Sequence, residues 1–212
     1  MKQYKNICAS NYLVYNYTKE ETENCFKILI DEGFLGRDYS LNSYVDFKNV
    51  LEKYPNRFQY GLRFKNKGFI ISNPIDWNCL GYTIDGDSED SKYIIDITNK
   101  FLLVLENSLF SYIDFEADPP KNFNKIITKK EIKWLFKYNY FGKDFIEKFG
   151  KDFFINMPCV SHEFITEHII KIDLVEDIFL PINKLLMNDV SDYLKTFSID
   201  VNFYNHEDFF ID

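Results

Sequence analysis

The densest run of carboxylates in the chain is DGDSED, Asp85 to Asp90. Carboxylates packed this closely suit either a bound cation or an acidic edge that meets a basic partner. A calcium loop of the EF-hand type places oxygen ligands at alternating positions, a glycine sixth and a bidentate glutamate twelfth. Asp85 and Asp87 fit the first two ligand positions, but Asp90 stands sixth and Asp96 twelfth, so an EF-hand is excluded. The alternatives are an irregular cation site, a solvated loop whose charge favours the start of a following helix, and a docking edge made of Asp85, Asp87, Glu89 and Asp90.

Other stretches approach catalytic patterns and then depart from them. FGKDF occurs twice, at 141–145 and 149–153. A phosphate-binding loop needs GxxxxGK followed by Ser or Thr, whose hydroxyl holds magnesium. Here Gly150-Lys151 is followed by Asp152, and Phe145 stands where the first glycine belongs. The glycines therefore read as punctuation: Gly142 turns the chain out of a strand, Phe141, Phe145 and Phe149 share one helical face, and Gly150 ends that helix. His162-Glu163 begins like HExxH, but Thr166 takes the place of the second histidine. On one continuous strand His162 and His168 would lie about 20 Å apart at a rise of about 3.3 Å per residue, too far to share a metal. Cys159 and His162 would then face opposite ways, and neither Cys159 nor Ser161 would form a nucleophile–base pair with His162. No metal or cofactor is expected.

The elements that would carry these residues are legible from periodicity. Thr18 and Glu21 have capping-box spacing, and Gly33 ends a helix running to Glu32. SLNSYVDFKNVLEKYPN has the spacing of a second helix. RFQYGLRFKNKGFIISN alternates around a KNKG turn and predicts a β-hairpin. CLGYTI adds a strand, and Ser88 opens a long helix to about Asn107 with Ile94, Ile97, Phe101, Leu105 and Leu109 on its buried side. SLFSYIDF and EIKWLFKYNYF are expected strands. CVSHEFITEHIIKIDL is expected as a further strand with Phe164, Ile170, Ile172 and Leu174 on one face. Pro181 opens a final helix to Phe197, and SIDVNFY is a last strand. Helices and strands mix without a βαβ rhythm, which predicts a single α+β domain over residues 1–212, its antiparallel or mixed sheet packed by several helices.

Composition narrows the function classes. With 46% hydrophobic and 18% aromatic residues, including 22 Phe and 15 Tyr, the chain is too apolar to be disordered. It carries 33 acidic against 25 basic residues, a net charge of −8, and its arginines are Arg37, Arg57 and Arg63. Phosphate recognition needs a basic face and favours arginine, so no nucleic-acid partner is expected; an acidic chain suits a basic protein. No apolar run reaches the roughly 20 residues that span a bilayer, and the start lacks the apolar core of a secretory signal. Cys8, Cys25, Cys79 and Cys159 are scattered, as in a reducing cytoplasm.

The aromatic strand leading into NYFG, then FIEKFGKDFF, then MP and an alternating strand, resembles the C-terminal part of immunity proteins from bacterial polymorphic and contact-dependent toxin systems. The likeness covers Trp134 to Leu174, about a fifth of the chain. It implies an α+β domain that binds and neutralises a cognate toxin and brings no catalytic residues. If that toxin is a nuclease, its basic active site would be met by carboxylates, with Asp85, Asp87, Glu89, Asp90, Glu116 and Asp118 as candidates and Trp77 as an aromatic anchor. Two other readings stand beside it: a metal-dependent hydrolase with Glu163, Asp114 and Glu116 converging in the fold, and an adaptor or structural subunit of a phage or bacterial assembly.

Overall fold

A computed structural model describes residues 5–13, 18–33, 35–36, 59–64, 67–72, 79–86, 88–105, 107–115 and 123–204. Eleven strands and six helices are present among them. In chain order these are β1 (Lys5–Leu13), α1 (Lys19–Asp31), β2 (Leu35–Gly36), β3 (Gln59–Phe64), β4 (Lys67–Ser72), β5 (Cys79–Gly86) and α2 (Ser88–Val104). There follow β6 (Ser108–Phe115), α3 (Phe123–Thr128), β7 (Trp134–Leu135), β8 (Tyr138–Phe141), α4 (Lys143–Phe149) and α5 (Lys151–Ile155). The chain continues through β9 (Ser161–Thr166), β10 (Ile169–Asp173), α6 (Lys184–Lys195) and β11 (Asn202–Phe203). Nine strands form one antiparallel sheet in the order β2-β3-β4-β5-β1-β6-β8-β10-β9, and β7 pairs in parallel with β11. The fold is a single α+β domain, as the mixture of periods predicts.

Cross-strand partners share a face of the sheet, and the registers sort the core into two layers. One face carries Ile7, Ala9, Tyr82, Ile113, Tyr138 and Tyr140. There α2 packs, with Phe101 edge-on to Tyr82 at 5.2 Å and Thr98 hydrogen-bonded to the Tyr82 hydroxyl at 2.5 Å. Helix α1 lies against α2, joined by Lys100, which pairs with Glu32 and, at 2.8 Å, with Asp96. The opposite face carries Phe110, Tyr112, Phe141 and Ile170. It is covered by Phe123 of α3, Phe145 of α4 and Phe154 of α5, whose rings lie 5.9, 6.2 and 4.8 Å from Phe110, Phe110 and Phe141 respectively. Phe136 stacks flat on Tyr112 at 3.8 Å, and α6 closes this side through Tyr193, whose hydroxyl donates to the Phe153 carbonyl at 2.7 Å.

Several elements follow their local signals. The Thr18 side chain accepts from the Glu21 amide at 3.1 Å while Glu21 accepts from the Thr18 amide at 2.9 Å, completing the capping box, and Gly33 leaves the helix at φ 87°. The expected hairpin strands pair as β3 and β4, Gln59–Phe64 against Lys67–Ser72. Helix α2 begins at Ser88 and ends at Val104; Ile94, Ile97, Phe101 and Leu105 are buried as expected, and Leu109, also buried, belongs to β6. The helix expected at SLNSYVDFKNVLEKYPN lies outside the described residues.

Three expectations are corrected. EIKWLFKYNYF is two strands, because the backbone at the break is claimed by side chains. Asn139 accepts from the Phe136 amide at 2.8 Å and donates to the Phe136 carbonyl at 2.6 Å, while the Lys137 amide donates to buried Asp114 at 3.1 Å. CVSHEFITEHIIKIDL is a hairpin turning at Glu167-His168, with Phe164 opposite Ile170. The last helix starts at Lys184 under an Asn183 cap, three residues after Pro181, and SIDVNFY contributes only the two residues of β11.

The doubled FGKDF is punctuation of two different kinds. Gly142 has φ −82°, a conformation open to any residue, but a Cβ there would overlap the Ser108 carbonyl oxygen where β6 begins. Gly150 has open space around it and φ 86°, ψ 153°, a region reserved for glycine. Gly142→Ala is therefore expected to cost about 3 kcal/mol, because backbone must move. Gly150→Ala should cost about 1–2 kcal/mol from strain alone. Urea unfolding of both variants checks the order.

Candidate functional site

The C-terminal half of the sheet gathers most of the described polar groups that are not simply solvated. Antiparallel pairing of β8 with β10 and of β10 with β9 brings Tyr140, Lys171 and Glu163 into one row, and Tyr138, Asp173 and Ser161 into the next but one, on the same face. Lys171 and Asp173 are buried and joined at 2.9 Å through Nζ and Oδ2. Ser161 donates to the same oxygen at 2.8 Å, and the Lys171 ammonium sits 5.2 Å from the centre of the Tyr138 ring. The other carboxylate oxygen, Asp173 Oδ1, and the Tyr140 hydroxyl are buried without a hydrogen-bond partner. Burial, reinforced by Asp173 and other acidic groups for Tyr138 and by Tyr82 and Asp173 for Tyr140, pushes both phenols well above their ordinary range. They remain protonated donors at neutral pH, unsuited to act as bases.

Cys159 and His162 meet, contrary to the expectation that they face apart. Cys159 precedes β9 rather than lying in it, so strand alternation does not separate them, and Sγ comes within 3.9 Å of Nδ1. A CxxH pair at this distance supplies two of the four corners of a tetrahedral soft-metal site, but no third His, Cys, Asp or Glu completes such a group among the described residues. Nor is the thiol activated. Burial first and Asp173 second raise its pKa, which lowers the thiolate fraction that does nucleophilic work. Buried Cys25 is pushed up likewise, by desolvation and then by Glu21. His168 sits in the hairpin turn beside Glu167, 3.2 Å from Nε2 to Oε1, so its spacing from His162 along one strand does not apply.

The remaining candidates scatter. Asp114 and Glu163 lie on opposite faces of the sheet, on strands separated by β8 and β10, about 14 Å apart at about 4.8 Å per strand. Asp114 is committed to the Lys137 amide, and these two do not converge on one metal. Asp85 is placed in β5 opposite Asn6, and Glu89 and Asp90 in the first turn of α2. Asp87, Glu116, Asp118 and Trp77 lie outside the described residues. No helix among the described residues is long and apolar enough to cross a membrane.

What the site does present is an edge. β9 ends the sheet order and pairs with β10 alone among the described strands; Ser161 to Phe164 are exposed, while Ile165 and Thr166 are half-buried and α2 comes against the same strand. Val160 and Phe164 expose 45% and 38% of their surface, apolar groups flanking the strand's polar ones. This end was missed in the sequence because CVSHEFITEHIIKIDL contains no Gly, Pro or Asn at its turn.

The buried pair predicts a stability effect. Asp173→Asn should cost about 3 kcal/mol, because Lys171 keeps its charge in a dry setting, whereas Lys171→Met with Asp173→Leu should return most of the loss. Urea midpoints decide. Alkylation of Cys159 by iodoacetamide, read against Cys159→Ser, should keep accelerating as pH rises past about 8.5, the usual thiol pKa. Searched against family models the chain matches none, and no curated protein matches it either.

Proposed function

We propose that the chain is an immunity-type protein that binds a cognate bacterial toxin and neutralises it by covering its active site or substrate surface. The observation that carries this reading is the exposed β9 end of a nine-stranded sheet, with Val160, Glu163 and Phe164 open to a partner. The stretch that resembles immunity proteins, Trp134 to Leu174, corresponds to β7 through β10 and includes that end. A net charge of −8 suits a basic partner such as a nuclease, for which charge would speed encounter and exposed apolar groups would hold the complex.

The buried groups support the same reading. Lys171 and Ser161 both engage Asp173 Oδ2, and the two phenols and the Cys159 thiol are held protonated. Such groups stiffen a surface more readily than they perform chemistry. Co-expression with the toxin encoded beside the chain should restore growth and yield a stable one-to-one complex on size exclusion. A neighbouring toxin left fully active by excess purified protein would refute the assignment.

A further inference from the structure

The β9 edge specifies how a partner would be held. In an antiparallel ladder each strand's amides point alternately to its two neighbours. The Leu174 amide donates to the Lys137 carbonyl at 2.8 Å, toward β8. By alternation Ile172 and Ile170 also face β8, and Asp173 and Lys171 face β9. Their register partners Ser161 and Glu163 therefore direct their backbone groups inward. His162 and Phe164 are left with N–H and C=O pointing away from the sheet.

From this arrangement we infer that the partner adds an extended strand to the outer edge of β9, hydrogen-bonding to the backbone of His162 and Phe164. The inference rests on the binding function proposed above and specifies its geometry. Exposed edges are ordinarily guarded by lysine, proline or a bulge. Between Ser161 and Thr166 there is neither Lys nor Pro, and the one bulge, at Ile165 where Phe164 pairs with Ile170 but Thr166 with Ile169, lies beyond the regular 161–164 segment. The strand instead contains Phe164, Ile165 and Thr166, residues that favour pairing.

The side chains narrow the occupant. His162 and Phe164 fall on the face covered by α5, where Lys151 lies 5.5 Å from the Phe164 ring and Ile155 is exposed; Val160, whose amide turns inward to the Asp173 carbonyl at 2.8 Å, stands outside that alternation. Ser161 and Glu163 fall on the opposite face. An incoming strand thus meets apolar surface on one side and a carboxylate on the other, which selects alternating apolar and basic residues. A second copy of this chain is the poorer occupant. Two-fold antiparallel pairing would set Glu163 near its own counterpart, and each chain carries −8.

The probe is an acetylated, amidated seven-residue peptide alternating Lys and Val, titrated against the purified protein by fluorescence polarisation. It should bind, and N-methylation of its alternate amides on one edge should abolish binding, a result independent of any variant's folding. Phe164→Pro and His162→Pro, each removing one outward amide, should weaken binding about tenfold, as expected for one lost main-chain hydrogen bond. His162→Ala should change it less than about threefold. A peptide that does not bind, or that binds equally well when methylated on either edge, overturns strand addition. Growth rescue separates the two ideas. If wild type and Phe164→Pro protect equally against the neighbouring toxin, neutralisation stands and this docking mode falls. If wild type gives no protection, the immunity reading falls while the peptide result still decides the edge.

Discussion

Two buried side chains redirect the backbone in the middle of the C-terminal half. Asn139 closes a small ring onto the amide and carbonyl of Phe136, and Asp114 takes the amide of Lys137. Buried amides demand partners, and here side chains supply them where a strand would have used its ladder. β7 consequently leaves the main sheet for β11, while β8 enters between β6 and β10. Everything C-terminal to that point, including the β9–β10 hairpin and its open edge, is set by where the bend lets β8 begin. The Lys137 side chain secures the same bend, donating from Nζ to the Ile178 carbonyl at 2.6 Å.

An aromatic layer then makes this half stiff. Phe110 contacts Tyr112, Phe123, Phe136, Phe141 and Phe145, with ring centroids between 5.2 and 6.5 Å. Large rings lose little conformational freedom for the area they bury, so such a layer is a firm platform. On the other face the Lys171–Asp173 pair is costly to bury and strict in its geometry, and it ties β10 to the strand at the edge through Ser161. Under the proposed function, an edge backed this way would enter a complex with little left to order, which favours affinity at a given contact area.

How much of this could be read from residues alone follows from the range of the interactions. The α1 cap, the β3–β4 hairpin and the buried stripe of α2 are short-range patterns, and they stand where periodicity places them. The bend at Phe136 was hidden because its partners are not both local: Asp114 is 23 residues away. The β9–β10 turn was hidden because Glu167-His168 carries no turn signature, its geometry being supported by the Thr166 hydroxyl accepting from the His168 amide at 3.2 Å. Cys159 and His162 meet for a different reason: β9 starts two residues after Cys159, so strand alternation does not separate them. Of the acidic candidates chosen for charge density, the described ones spread between β5 and α2, while the edge that recommends itself carries Glu163, singled out earlier for a different chemistry.

The place of β1 in the sheet has a kinetic side. The first strand of the chain lies between β5 and β6, so both its neighbours come much later in sequence. During synthesis at about 5–20 residues per second, residues 5–13 would wait roughly 5–20 s after emerging before β6 is available. Pairings this distant close large loops, which slows folding. One flank of this central strand can be covered once β5 emerges, but the other stays bare until residue 115 leaves the ribosome, which suits such a nascent chain to chaperones that shield unpaired β-structure.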